Sequence, residues 1–182
     1  MYGLPLVDPE SSNGETDHLF ATAHEVLGVT PNLVKAMANS PAALAAYLDF
    51  QVALRGGTLC TATHERIALL VAQENECDYE LSVHSYLGAE VAGLSAEQIA
   101  EARRGRAETP AAAAELTFAT ALIRNRGAVT DAELAAARDG GLSHAAIAEV
   151  IAHIALNVFT TYLAKVGRVD IDWPLARHGD RP

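Results

Sequence analysis

Residues 65–84 read ERIALLVAQENECDYELSVH, and this stretch decides how the chain folds. Its first half, Ile67 to Ala72, is apolar on every side, the pattern of a helix enclosed by other helices. The helix this predicts runs from about Thr61 to Glu74, and the chain then turns between Glu74 and Asp78. A second helix follows to about Ala92. On it Cys77, Glu80 and His84 are spaced i, i+3 and i+7 and share one face with Leu81, Leu87, Gly88 and Val91. A thiol, a carboxylate and an imidazole inside a core stripe each need a partner away from water. Such a conflict between pattern and chemistry marks a candidate functional site.

Outward from this hairpin the chain reads as further helices and no convincing strand. Residues 1–17, rich in Pro, Gly, Ser and acidic side chains, form an arm without a core. Helical periodicity starts near His18. Thr30-Pro31 and Ser40-Pro41 each place a capping hydroxyl before a helical first-turn Pro, opening helices at 31–38 and near 41–54. Gly56-Gly57 closes the second of these. Ser95 with Gln98, and Thr130 with Glu133, are capping boxes for two short helices, and Thr109-Pro110 opens another between them. A long helix spans 143–166, with a polar line of His153, Asn157, Thr161 and Lys165 at i+4 spacing, read as a solvated face. The division predicted is an arm at 1–17, one all-α helical domain at 18–166 and a tail at 167–182. The tail carries the only Trp, Trp173, which needs either the domain or a neighbouring subunit to pack on.

Composition narrows the function. Half the chain is apolar and only 5% aromatic, so the core is built from Ala, Leu, Val and Ile, as in closely packed helices. A formal charge of −10 argues against nucleic acid or an anionic membrane as partner. No run looks long and apolar enough to span a membrane, and the N-terminus lacks the pattern of a signal peptide. Two cysteines, Cys60 and Cys77, suit a reducing cytoplasm rather than a disulfide scaffold. Nucleotide-binding loops, paired CxxC zinc ligands and a nucleophile elbow are all missing from the sequence.

The block LCTATHERIALLVAQENECDYELSVH at 59–84 resembles the core of the carboxymuconolactone decarboxylase family, which includes alkylhydroperoxidase D. The resemblance extends through GAEVAGLSAEQI at 88–99, GGLSHAAIAEVIAHIALNVFTTYLA at 140–164 and the closing IDWP at 171–174. It implies an all-α, alkylhydroperoxidase D-like bundle. In the peroxidase branch a Glu stands twelve residues before a C-x-x-C-x-x-x-H motif. Glu65, Cys77 and His84 match those positions, while Glu80 occupies the place of the second cysteine. That cysteine attacks the peroxide in the family, so its loss removes the two-thiol cycle. Glu80-Leu81-x-x-His84 instead looks like the E-L-x-x-H of the decarboxylase branch.

Glu80 and His84, one turn apart, can share a proton and pass it to or from a substrate near neutral pH. Glu65 could orient His84. The candidate catalytic residues are therefore Glu65, Cys77, Glu80 and His84, acting on a small organic acid or lactone without a cofactor. Against this stands a plain buried ion pair. Cys77, at a helix start, would gain thiolate character and could serve a peroxidase; the alternative is a small apolar filler. A metal set of Cys77, Glu80 and His84 with Glu65 or His153 matches no common spacing, and no metal is expected. Tyr79, His153 and Asn157 are candidate substrate contacts, His64 is read as solvent-facing, and Arg66 as a partner for Glu65, Asp78 or a substrate carboxylate. The family resemblance implies a homo-trimer or homo-hexamer, and a non-catalytic oligomer that binds a ligand is the third reading.

Overall fold

The computed structural model describes residues 3–180 and, among them, nine α-helices and no strand. The helices are α1 (Glu15–Leu27), α2 (Asn32–Met37), α3 (Pro41–Arg55), α4 (Thr61–Glu74), α5 (Asp78–Glu90), α6 (Ala96–Arg103), α7 (Pro110–Arg124), α8 (Asp131–Asp139) and α9 (His144–Gly167). As its all-round apolar pattern requires, α4 lies at the centre, with Ile67 through Gln73 buried and α5, α6, α7 and α9 packed around it. Both predicted capping boxes are present, at Ser95–Gln98 and Thr130–Glu133. Ser40, Thr109 and Ser143 cap α3, α7 and α9 through their hydroxyls.

Two apolar cores result. One is formed by α1, α2 and α3 with Cys77, which precedes α5, and Tyr79 of α5. The other joins α4 to Leu81, α7, α8 and the start of α9. The long α9 belongs to both, giving Leu156 and Ala164 to the first and Ala146 and Val150 to the second. Counter to expectation, α9 is long and apolar enough to cross a membrane by length and composition alone. Its apolar side chains are spent in these cores, and it also buries His153, Asn157, Thr160 and Thr161.

Two local expectations need correction. The helix α1 begins at Glu15, not near His18, because Gly14 supplies a positive φ that lets the chain enter the helix earlier. At α2 the cap residue is Pro31, and no side chain of the preceding turn caps it. The open amides there are met from far along the chain. Asn32 N donates to Asp172 Oδ2 at 2.7 Å and Leu33 N donates to the Tyr79 hydroxyl at 3.1 Å. Tyr79 in turn donates to Asp172 Oδ1 at 3.0 Å. The tail thus packs on its own domain: Trp173 lies against Tyr86 with ring centroids 5.4 Å apart, and Asp78 accepts from His178 N at 2.8 Å.

Replacing Tyr79 with Phe leaves the buried Leu33 amide without its acceptor. Tyr79→Phe is expected to lower stability by about 1–3 kcal/mol, read as a lower urea midpoint at unchanged m-value.

Candidate functional site

The α4–α5 hairpin brings Glu65, near the start of α4, beside Glu80 and His84 on α5. Antiparallel packing of the two helices does this, since the turn at Asn75–Cys77 is short and Glu76 enters it at φ 51°. His84 Nδ1 lies 2.8 Å from Glu65 Oε2, and His84 Nε2 lies 3.2 Å from Glu80 Oε2. One imidazole is clamped between two carboxylates. Burial alone would lower the His84 pKa, but the two carboxylates outweigh it and raise the ring to about 10. His84 is therefore an imidazolium at neutral pH, with both nitrogens donating. This corrects the expectation of a freely shared proton: the ring holds its proton at neutral pH.

Glu80 is 3% exposed, and its second oxygen, Oε1, is buried with no hydrogen-bond partner. A buried carboxylate oxygen without a donor is costly unless something occupies it. The cluster reaches the surface only through the edges of Glu65 and His84, whose side chains are 12% and 14% exposed.

Cys77 does not join this cluster's chemistry. As the cap residue of α5 it is buried in the first core, its Sγ 4.0 Å from the carbonyl oxygen of Thr161. Burial pushes its thiol up to about 11, overcoming the amides of Glu80 and Tyr79, and the Glu80 carboxylate adds to the rise. The thiolate character expected of a helix start is thus reversed. The sulfur borders a cleft of about 210 Å³ with Tyr79, Lys165 and Val169. Cys60, the other free cysteine, is exposed. Among the described residues, no group of three or more His, Cys, Asp or Glu is placed to hold a metal ion.

Tyr79 is likewise turned away: it is buried and its hydroxyl is committed to α2 and the tail. His153 and Asn157 are buried rather than on a solvated face, because α9 packs that line against α4 and α5. Asn157 uses its amide nitrogen on the His153 carbonyl at 2.8 Å. His64, expected at the surface, stacks on His153 with ring centroids 4.1 Å apart. Glu65 and Asp78 pair with His84 and His178 and not with Arg66. Tyr47 of α3 had drawn no attention in the sequence, since it sits in an ordinary helical core stripe. It is buried within the electrostatic reach of Glu80 and Glu65, and burial followed by the Glu80 charge raises its hydroxyl to about 12.

Residues 40–125 match the model of the carboxymuconolactone decarboxylase family. No curated protein matches the chain. Among solved structures it is similar to an uncharacterized peroxidase-related protein from Silicibacter sp. TM1040, at 22% identity and TM-score 0.78, covering 98% of this chain and 94% of that one. It is also similar to the alkylhydroperoxidase AhpD core of a peroxidase-related protein from Ralstonia eutropha JMP134, at 19% identity and TM-score 0.81, covering 94% and 93%. The debrominase Bmp8, solved in complex with 2,3,4-tribromopyrrole, is similar at 17% identity and TM-score 0.76, covering 93% and 91%. The all-α, single-domain AhpD-like fold is thus established.

His84 and His153 together give stability a pH optimum. The folded chain keeps the His84 proton until about 10, whereas a free imidazole releases it near 6.5. Its contribution is complete below about 6.5 and is lost as pH rises through about 10. His153 is held near 4 by burial and by His64, so the unfolded chain takes up the proton first and stability falls as pH drops from 6.5 toward 4. Urea titrations across this range should show both limbs. His84→Gln is expected to flatten the alkaline limb, and His153→Gln the acid one.

Proposed function

We propose that this chain, which belongs to the carboxymuconolactone decarboxylase family, is a cofactor-free acid/base enzyme of lyase or tautomerase type acting on a small organic acid or lactone. The observation that carries this reading is the unequal treatment of the two Glu80 oxygens. One is held 3.2 Å from the His84 imidazolium, and the other is buried without a partner. Glu80 is then the catalytic residue, with His84 and Glu65 as positioning residues. His84 donates to Glu80 Oε2 and keeps the carboxyl group oriented, and Glu65 holds the ring by its other nitrogen at 2.8 Å.

The chemistry follows from that assignment. Glu80 Oε1 takes the proton from a carbon next to a carbonyl group, and the C–H electron pair becomes the enolate π bond. Returning the proton to a different atom of the enolate completes a tautomerisation. In a decarboxylation the departing CO₂ leaves the electron pair of the broken C–C bond on the substrate, and a protonated Glu80 delivers the proton to carbon. General acid/base catalysis of this kind supplies about 10²–10⁴-fold in rate.

The alternative is a thiol peroxidase relying on Cys77. It is the weaker reading, since burial raises that thiol and Glu80 stands where a second cysteine would be needed. A non-catalytic oligomer that binds a ligand is the remaining one. A cytoplasmic location belongs to the proposal, supported by two free thiols. So does a homo-trimer or homo-hexamer, supported by the outer face of α9. There Ile151, Ala155, Phe159, Tyr162 and Val166 recur at helical spacing and are all exposed.

Two experiments test these readings. In D₂O, a panel of enol lactones and keto acids is followed by NMR for exchange at the acidic carbon. The wild type is expected to exchange at least one of them, and Glu80→Gln to slow that exchange by about 10² or more. Exchange that is indifferent to Glu80→Gln, or peroxide consumption that depends on Cys77, sinks the acid/base reading. Light scattering is expected to give a multiple of the single-chain mass, and Tyr162→Glu with Val166→Glu to return it to one chain.

A further inference from the structure

A base must meet its substrate, and Glu80 is only 3% exposed, so the chemistry assigned to it needs a way in. The cleft of about 210 Å³ lies at the N-terminal end of α5. One wall is the turn into that helix, residues 76–79, and the other is the end of α9 with the root of the tail, as far as Ile171. Glu80 does not line the cleft. Cys77 does, and it stands between the two: its sulfur accepts from the Glu80 amide, and the Glu80 carboxylate acts on it.

The tail side of the cleft is held by weaker means than the α5 side. Residues 170–180 form neither helix nor strand, and none of them is buried. The chain leaves α9 through Arg168 at φ 49°, and Val169 is still sunk in the first core. Beyond Val169 the anchors are mostly polar. Asp172 accepts from Asn32 N at 2.7 Å and from the Tyr79 hydroxyl at 3.0 Å. Ala176 N donates to Ser82 Oγ at 3.0 Å, and the carbonyls of Arg177 and His178 accept from Arg103 at 2.7 Å and Gln73 at 3.1 Å. His178 meets Asp78 Oδ1 through its amide at 2.8 Å and through Nδ1 at 2.7 Å. Trp173 and Ala176 are the apolar anchors, both partly buried. Each such hydrogen bond stabilises the closed form only modestly, and a segment with few buried apolar contacts opens without unfolding the domain.

We propose that residues 170–180 are a hinged strap that closes this cleft, and that its release is the entry route to Cys77 and, behind it, Glu80. Release takes Ile171 out of the cleft and unties the Tyr79 hydroxyl from Asp172, so both walls loosen together. Closed, the strap pins the first turns of α5 through Asp78, Tyr79 and Ser82. Holding the catalytic group still and shutting water out are what a lid does over a bound substrate. The role given to the strap rests on the acid/base reading of Glu80 and adds the path by which a substrate reaches it.

Full-chain variants carrying Cys60→Ser, which removes the exposed thiol, test the strap. Ser82→Cys with Ala176→Cys puts a disulfide where the Ser82 hydroxyl meets the Ala176 amide, so oxidation locks the strap and dithiothreitol releases it. His178→Ala instead removes one of its anchors. The readout is alkylation of Cys77 by iodoacetamide, followed by peptide mass spectrometry, with amide hydrogen exchange of residues 67–72 in α4 reporting global opening. The lock is expected to slow Cys77 alkylation at least about tenfold, reversibly. His178→Ala is expected to speed it about fivefold, the loss of one hydrogen bond, with the α4 amides unchanged. Should the cysteine pair not fold, His178→Ala combined with Trp173→Ala carries the test. A closed lock that leaves Cys77 alkylation unchanged overturns the proposal. So does a His178→Ala chain that speeds Cys77 and the α4 amides together, or neither. If the lock slows alkylation while Glu80→Gln leaves substrate deuterium exchange untouched, the acid/base reading fails and the strap stands. If Glu80→Gln abolishes that exchange while the lock changes neither readout, the strap fails and the base stands.

Discussion

The structure turns on one ion cluster: an imidazolium held between two carboxylates at 2.8 and 3.2 Å, at the contact of α4 with α5. Taking three charges out of water is expensive, and mutual attraction offsets it only when the geometry is good. Here every His84 donor is met and the pKa of the ring rises to about 10, a sign that attraction wins for the imidazole. The carboxylates are treated differently. Glu65 keeps an edge at the surface, while Glu80 is buried with one oxygen unanswered. That unanswered atom is the observation on which the proposed role of Glu80 rests.

The rest of the fold serves to make such a cluster tolerable. Two apolar cores flank the polar side chains, and α9 crosses from one core to the other carrying a buried line of His153, Asn157 and Thr161. The tail closes the far side of α5, where Asp78, Tyr79 and Ser82 exchange hydrogen bonds with His178, Asp172 and Ala176. The face of α5 that bears Glu80 and His84 is thus held from behind, and both ends of the α2 contact are fixed through Tyr79. Rigidity of this kind is what a positioned base requires.

Particular residues show how far local rules reach. The limits of α4 coincide with the apolar run and the turn signals that predicted them, and both capping boxes formed as their spacing demanded. Such features depend on atoms three or four residues apart, so they are legible in one dimension. Thr30 was misread because the amides of α2 are answered from Asp172, some 140 residues away, and no local signal announces that. His64 was misread for the same reason. Its neighbour in sequence is Glu65, but its neighbour in space is His153. Cys77 shows the sharper form of the problem: the helix start favours its thiolate, and burial, which the local pattern understates, reverses the outcome.

By itself, the sequence determined the all-α class, the buried hairpin and the presence of Glu80 where the resemblance calls for a cysteine. These follow from periodicity, capping chemistry and residue identity at fixed spacing. Only the tertiary structure decided which polar groups are paired. It gave both His84 nitrogens to carboxylates, turned Tyr79 and Cys77 away, and brought His64 onto His153. The reason is that hydrogen-bond satisfaction and desolvation are set by what lies within about 4 Å in space, and packing, not chain order, chooses those neighbours.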